Sequence, residues 1–143
     1  MTRKKSKIPV ALCYDFDGTL APGNMQEHSY IPNLGLTKTD FWAEAKKLAQ
    51  ENDMNEIMAY MHLMLKKANA NDQPVRRKDF IDHGKGIRFF PGVESWFQRI
   101  NEFGNKLKLD VQHYIISSGL REMVEGTTIY KNFRYVFASG FYY

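Results

Sequence analysis

Two acids one residue apart, Asp15 and Asp17, stand where the apolar run "IPVALCY" gives way to "DFDGTL". Like charges this close repel, and neither side chain helps a core. The pair makes chemical sense in two ways. A divalent cation can sit with it, since Mg2+ is commonly held by one or two carboxylates together with phosphate oxygens and water. One acid can also keep a proton, because a like-charged neighbour raises its proton affinity. That suits a group which donates and later accepts a proton near neutral pH. The two acids thus offer a nucleophile and an acid/base. Gly18 permits a tight turn and a close approach of backbone N–H groups to an anion, and Thr19 adds a hydroxyl that can fix the loop. Further along, "YIISSG" ends in Ser117, Ser118 and Gly119, which bring hydroxyls, a backbone N–H and an expected helix opening at Gly119 that favours phosphate. These are parts of a phosphoryl-transfer site. Taken alone, Asp17-Gly18 is equally an ordinary turn dipeptide; the less common feature is its combination with an apolar strand and a second strand closed by Ser-Ser-Gly.

The flanking elements must position these groups. Ile8 to Tyr14 is apolar without alternation, the pattern of a strand covered on both faces, as in a parallel sheet, and Cys13 within it reads as a small core residue. Ala21 to about Pro32 is loop. Thr37 is placed to cap a helix reaching Asn52, with Phe41, Trp42, Ala45, Leu48 and Ala49 as its inner stripe. A second helix is predicted from about Met54 to Ala68, packing through Met54, Ile57, Met58, Met61, Met64, Leu65 and Ala68. A short helix in "VRRKDFIDHGKG" follows. Pro91 and Gly92 open a helix that turns Val93, Trp96, Phe97, Ile100 and Phe103 inward and stops at Gly104. A strand over Val111 to Ile116, a short helix from Leu120 to about Thr127, and a strand in "YVFASGF" complete the order. Right-handed crossovers make the strands parallel and adjacent. Both polar clusters then fall at the carboxyl ends of neighbouring strands, where open α/β sheets bind ligands.

"DFDGTL" resembles the first motif of the haloacid dehalogenase (HAD) superfamily in its phosphatase form, and "YIISSG" resembles the second, a hydrophobic strand closed by Ser or Thr. The helical stretch between them resembles the cap that one subgroup inserts there, and "FFPGV" its return to the core. The resemblance implies an α/β fold with a Rossmann-like parallel sheet, in which residues 8–20 and 91–143 form a partial core, 21–90 a helical cap and 1–7 a basic leader. It implies a Mg2+-dependent phosphomonoesterase working through an aspartyl-phosphate. Asp15 would be the nucleophile and a metal ligand. Asp17 would protonate the leaving oxygen, activate the hydrolytic water and touch the metal through its carbonyl. Ser117 would hydrogen-bond the phosphoryl group, with Gly18, Thr19, Ser118 and Gly119 completing the phosphate site. An acid at position 17 also favours an oxygen leaving group, hence a small phosphorylated substrate over a carbon–halogen bond. Asn24, Gln26, His28 and Tyr30 are candidates for specificity, although a plain loop role accounts for them equally.

The family pattern also calls for a neutralising lysine, for which Lys131 is the candidate, and a later acidic motif that completes the metal site. Beyond Ser117 the acids are Glu122 and Glu125, too near the second motif to complete a metal site, and the lysine is Lys131, placed like a surface residue ahead of the last strand. The partial core also leaves the first strand without a neighbour on one side. The chain therefore reads as the amino-terminal part of a longer phosphatase, weakly active or inactive by itself. The competing reading is a catalytically incomplete module that binds phosphate, metal or a protein.

The 143-residue length suits one domain. Arg3, Lys4, Lys5 and Lys7 account for the whole formal net charge of +4, and no basic stripe interleaved with aromatics continues beyond them, so nucleic acid is not an expected partner. No apolar run nears the roughly 20 residues that cross a bilayer, so no membrane association is expected. A single cysteine suits a reducing, cytoplasmic setting. The four histidines, His28, His62, His83 and His113, are too scattered for a metal site.

Overall fold

The computed structural model describes residues 7–143. Apart from Lys7, the basic leader lies outside the described residues. The fold is mixed α/β, built on a three-stranded parallel sheet in the order β1-β2-β3. Strand β1 (Ile8–Tyr14) leads into the segment carrying α1 (Tyr30–Asn33), α2 (Lys38–Glu51), α3 (Glu56–Ala70) and α4 (Arg77–Gly84). Helix α5 (Val93–Lys106), β2 (Leu109–Leu120), α6 (Arg121–Glu125) and β3 (Phe133–Ser139) follow. The parallel, adjacent strands are as expected. The two ends of the 21–90 segment meet, because the Phe90 N–H donates to the Leu20 carbonyl at 3.0 Å. That segment nevertheless shares one continuous core with the sheet, in which Phe16, Phe41, Phe80, Phe97 and Ile115 are all buried. Among the described residues, no helix is long and apolar enough to cross a membrane.

One face of the sheet is covered by α5, which packs on β2. On this side the Tyr14 hydroxyl accepts from Trp96 Nε1 and hydrogen-bonds His113 Nδ1, both at 2.9 Å, and His113 Nε2 donates to Asn101 Oδ1 at 2.9 Å. Asn101 Oδ1 can only accept, which makes Nε2 the protonated nitrogen of a neutral ring. Burial pushes the His113 pKa down, favouring that form.

The opposite face corrects an expectation. Register pairs Cys13 with Tyr114 and Tyr114 with Tyr135, and Ile116 with Phe137, so these side chains share a face. Cys13, Ile116, Tyr135 and Phe137 are exposed there. Strand β1 is therefore an edge strand open on one face rather than a doubly covered one, and Cys13 is no core residue, because no helix of the described residues lies over that side.

Helix α2 begins as expected: Thr37 Oγ1 accepts from the Asp40 N–H at 3.1 Å and donates back to the Asp40 carboxylate at 2.7 Å. Helix α3 packs largely through its expected stripe, with Met64 and Ala68 buried and Ile57, Met61 and Leu65 against the core, and departs from it at Met58. Ala59, Tyr60, Leu63, Met64 and Ala68 are buried, whereas Met58 is 62% exposed. Two phenols tie the helix to its surroundings, Tyr60 donating to the Ser118 carbonyl and Tyr30 to the Met64 carbonyl, each at 2.7 Å. Gly104 does not stop α5. A side chain there would collide with Val111, so the glycine lets helix and strand approach, and Phe103 turns out to solvent. Strand β2 runs beyond Ile116 to Leu120, its register broken between those residues. Gly119 accordingly lies within the irregular end of the strand, and α6 opens at Arg121 instead.

Candidate active site

Register between β1 and β2 ends at Tyr14 and Ile115, so Asp15 follows the end of β1 directly and Ser117 lies on β2 two residues past the last pair. The turn that follows Asp15 is wound on the Phe16 carbonyl, which accepts from the N–H groups of Thr19, Leu20 and Ala21, while Phe16 itself is fully buried. A buried aromatic between two acids anchors the turn and leaves Asp15 exposed and Asp17 half-buried. Gly18 has φ of 77°, a region that costs little only for glycine. Its N–H donates to the Ala21 carbonyl at 2.7 Å, so that donor serves the turn and not an anion. Thr19 fixes the loop as anticipated, its hydroxyl donating to Asp15 Oδ2 at 3.2 Å.

Asp17 points the other way. Its Oδ1 accepts from the Met25 N–H at 2.8 Å, and a Cβ built on Gly119 would lie 3.2 Å from its Oδ2 and 2.2 Å from Met25 Cε. Only a residue without a side chain lets the end of β2 come this close to the first loop. The two sequence motifs are thereby brought together. Burial is the main cause that pushes the Asp17 carboxyl up to about 7; the Met25 N–H opposes it, and the Asp15 and Glu27 charges add to it. This is a carboxyl that can hold and release a proton near neutral pH.

Asp17, Ser118 and Gly119 line one side of a cavity of about 450 Å³. Asn24 and Gln26 come from the loop after β1, Trp42 and Lys46 from α2, and Ile57 and Tyr60 from α3. The walls are tied to one another. Trp42 Nε1 donates to Glu27 Oε1 at 2.8 Å, Asn24 Nδ2 to the same oxygen at 2.9 Å, and the Tyr60 hydroxyl to Ser118. The Trp42 and Tyr60 rings meet edge to face at 5.8 Å. Burial raises the Tyr60 pKa, with the Asp17 charge next in weight, so the phenol stays a donor.

Of the candidate residues, Asp17, Ser118 and Gly119 share this cavity, with Asn24 and Gln26. Asp15, Gly18, Thr19 and Ser117 are not among its lining residues; Ser117 Oγ accepts from the Gly119 N–H at 3.0 Å and so shapes the end of β2. His28 bonds the Pro22 carbonyl and Tyr30 is buried against Met64, so neither reaches the cavity. Lys131 lies in the turn before β3, whose first residue Phe133 pairs with His113 and is thereby level with Leu12, about 10 Å of strand short of Asp15. Glu125 pairs with Arg77, and the buried Glu122 accepts from the Phe141 N–H at 3.1 Å.

Trp42, Lys46, Glu56 and Tyr60 were missed by motif reasoning. Their signal lies in helical spacing: Trp42 and Lys46 are four apart on α2, and Glu56 and Tyr60 four apart on α3, so each pair presents one patch. For a metal, the fitting donors are the hard oxygens of Asp15 and Asp17. No group of three or more His, Cys, Asp or Glu side chains that could hold an ion occurs among the described residues. The donor set suits Mg2+, which keeps water and phosphate oxygens in its shell, better than a cation that needs an all-protein cage.

No family model matches the chain. It is 32% identical over 130 residues to a protein of Borreliella burgdorferi described as "Uncharacterized protein". That alignment covers 84% of the chain and 45% of the relative, so the chain spans a little under half the length of the curated relative it matches.

Proposed function

We propose that the chain is a Mg2+-dependent phosphohydrolase of the HAD superfamily, with the parallel sheet as part of a Rossmann-like core and residues 21–90 as a helical cap over the site. The observation that carries this reading is the meeting of Asp17 with Ser118 and Gly119 around one cavity, beside an exposed Asp15 held by Thr19. Asp15 and Asp17 would hold Mg2+, which when bound offsets the charge that nucleophile and phosphate bring together.

An Asp15 oxygen attacks phosphorus and the bond from phosphorus to the ester oxygen breaks. Asp17 gives its proton to the departing alkoxide, so an alcohol leaves and an aspartyl-phosphate remains. Asp17, now ionised, takes a proton from water; the resulting hydroxide attacks phosphorus, frees phosphate and restores Asp15. A carboxyl pushed up to about 7 suits both directions of that proton movement. The cap side of the cavity is tied by Tyr60 to the end of β2, beside the half-buried Asp17.

Turnover of p-nitrophenyl phosphate with Mg2+ tests the reading. Asp15→Asn abolishes it, and Asp17→Asn lowers it by about 10²–10⁴-fold. Equal rates in wild type and Asp15→Asn would remove the nucleophile. A second reading has its own support: the described residues bring no third acid to the Asp15 and Asp17 pair. On that reading the chain binds Mg2+ and phosphate without turnover, which calorimetry on the same protein distinguishes.

A further inference from the structure

Gln26 borders the cavity, is 1% exposed, and its Oε1 has no hydrogen-bond partner. An amide oxygen cut off from water and left unpaired costs about 1–3 kcal/mol, so its retention calls for a gain elsewhere. The neighbouring polar groups narrow what could supply one. Trp42 Nε1 and the Tyr60 hydroxyl are both spent on protein acceptors, Glu27 and Ser118. Asn24 gives its Nδ2 to Glu27, which leaves its oxygen as the group it can offer. Asn24 Oδ1 is thus uncommitted, and Gln26 Oε1 lies unpaired behind the same wall, so a ligand that engages both must bring donors. The last torsion of a glutamine is soft, so a small turn of the amide presents Oε1 to the cavity.

We infer that Gln26 selects the alcohol half of the substrate, and that this half is polyhydroxylated, so the ligand is a polyol or sugar phosphate. The inference rests on the phosphohydrolase reading of the same site. A hydroxyl is the donor that neutral amide oxygens pair with, and Lys46 on the same cavity works against an ammonium group, while Asp17 and Glu56 make that alternative one the test must separate. The Trp42 and Tyr60 rings supply apolar surface for the C–H faces of such a chain.

The test is calorimetric binding of two phosphates of equal carbon number, sorbitol 6-phosphate and n-hexyl phosphate, to the 143-residue protein with Mg2+ present. Wild type binds the sorbitol ester more tightly by about 10-fold or more, and Gln26→Met, which keeps the side-chain length, reduces that ratio by about 5- to 10-fold. Equal binding of the two esters by wild type overturns the inference whether or not the variant folds, and so does a ratio that Gln26→Met leaves intact. A preference for O-phosphoethanolamine over the sorbitol ester also overturns it, in favour of an ammonium site. Hydroxyl discrimination without Asp15-dependent binding of Mg2+ and beryllofluoride would sink the phosphohydrolase reading alone, whereas such binding without discrimination would sink this inference alone.

Discussion

Replacing Asp17 with Asn removes a charge that works against folding. A carboxyl raised from its ordinary 3.8 to about 7 binds its proton more tightly in the folded chain than in the unfolded one. Its ionisation is therefore a penalty on folding: absent below about 3.8, growing as pH rises, and complete above about 7. The interval corresponds to at most about 4 kcal/mol. Asp17 is only half-buried, so solvent screening reduces this to roughly 1–3 kcal/mol. Asn keeps an oxygen that can accept from the Met25 N–H, so the loop loses charge without losing its anchor. Urea denaturation in EDTA is the assay. At about pH 3.5, where the carboxyl is largely protonated both folded and unfolded, the two proteins differ little; at about pH 8.5 Asp17→Asn is the more stable. Curves that run parallel at both pH values, or a variant less stable at the alkaline one, would refute the burial of Asp17 as the cause. Mg2+ added at the alkaline pH restores more stability to wild type than to the variant, because an ion that binds the folded state stabilises it.

Other expectations follow from single contacts. Tyr60→Phe keeps the ring but deletes the donor to the Ser118 carbonyl; it costs about 1 kcal/mol in urea denaturation and speeds amide exchange around Gly119. Gly119→Ala drives a methyl into Met25 and towards Asp17; the buried methionine must repack, at about 1–3 kcal/mol, and an unchanged urea midpoint would contradict the close approach of the two loops. Cys13 lies on the open sheet face, so its thiol reacts with a disulfide reagent in native buffer as readily as in urea, whereas a buried thiol would react only on unfolding.

Local chemistry made the centre of the site legible. An apolar strand that stops at Asp15-Phe16-Asp17-Gly18-Thr19 has its turn written into it, in the buried Phe16, the left-handed Gly18 and the Thr19 hydroxyl. The Thr37 cap is likewise a matter of neighbours in sequence. What depended on distant surfaces was not legible. Counting apolar side chains placed most of α3's inner face but put Met58 on it and missed Tyr60, whose phenol finds its acceptor at Ser118, 58 residues away. Composition made Cys13 a core residue, yet burial of a strand depends on what lies over it. Gly104 resembles a helix terminator until Val111 is seen occupying the space of its missing side chain. The cap wall of the cavity was hidden for the same reason, since Trp42, Lys46 and Tyr60 acquire a common purpose only when α2 and α3 pack on one another.

The central claim is that Asp15 takes a phosphoryl group while Mg2+ and Asp17 attend it. Beryllofluoride, which mimics a phosphoryl group on a carboxylate, tests this without requiring turnover. Fluorine NMR of the protein with Mg2+ and beryllofluoride should show a bound resonance that disappears on chelation of Mg2+ and in Asp15→Asn, and survives in Asp17→Asn. A bound resonance that persists in Asp15→Asn, or its absence from wild type under conditions where Mg2+ binding is measured, would contradict the claim.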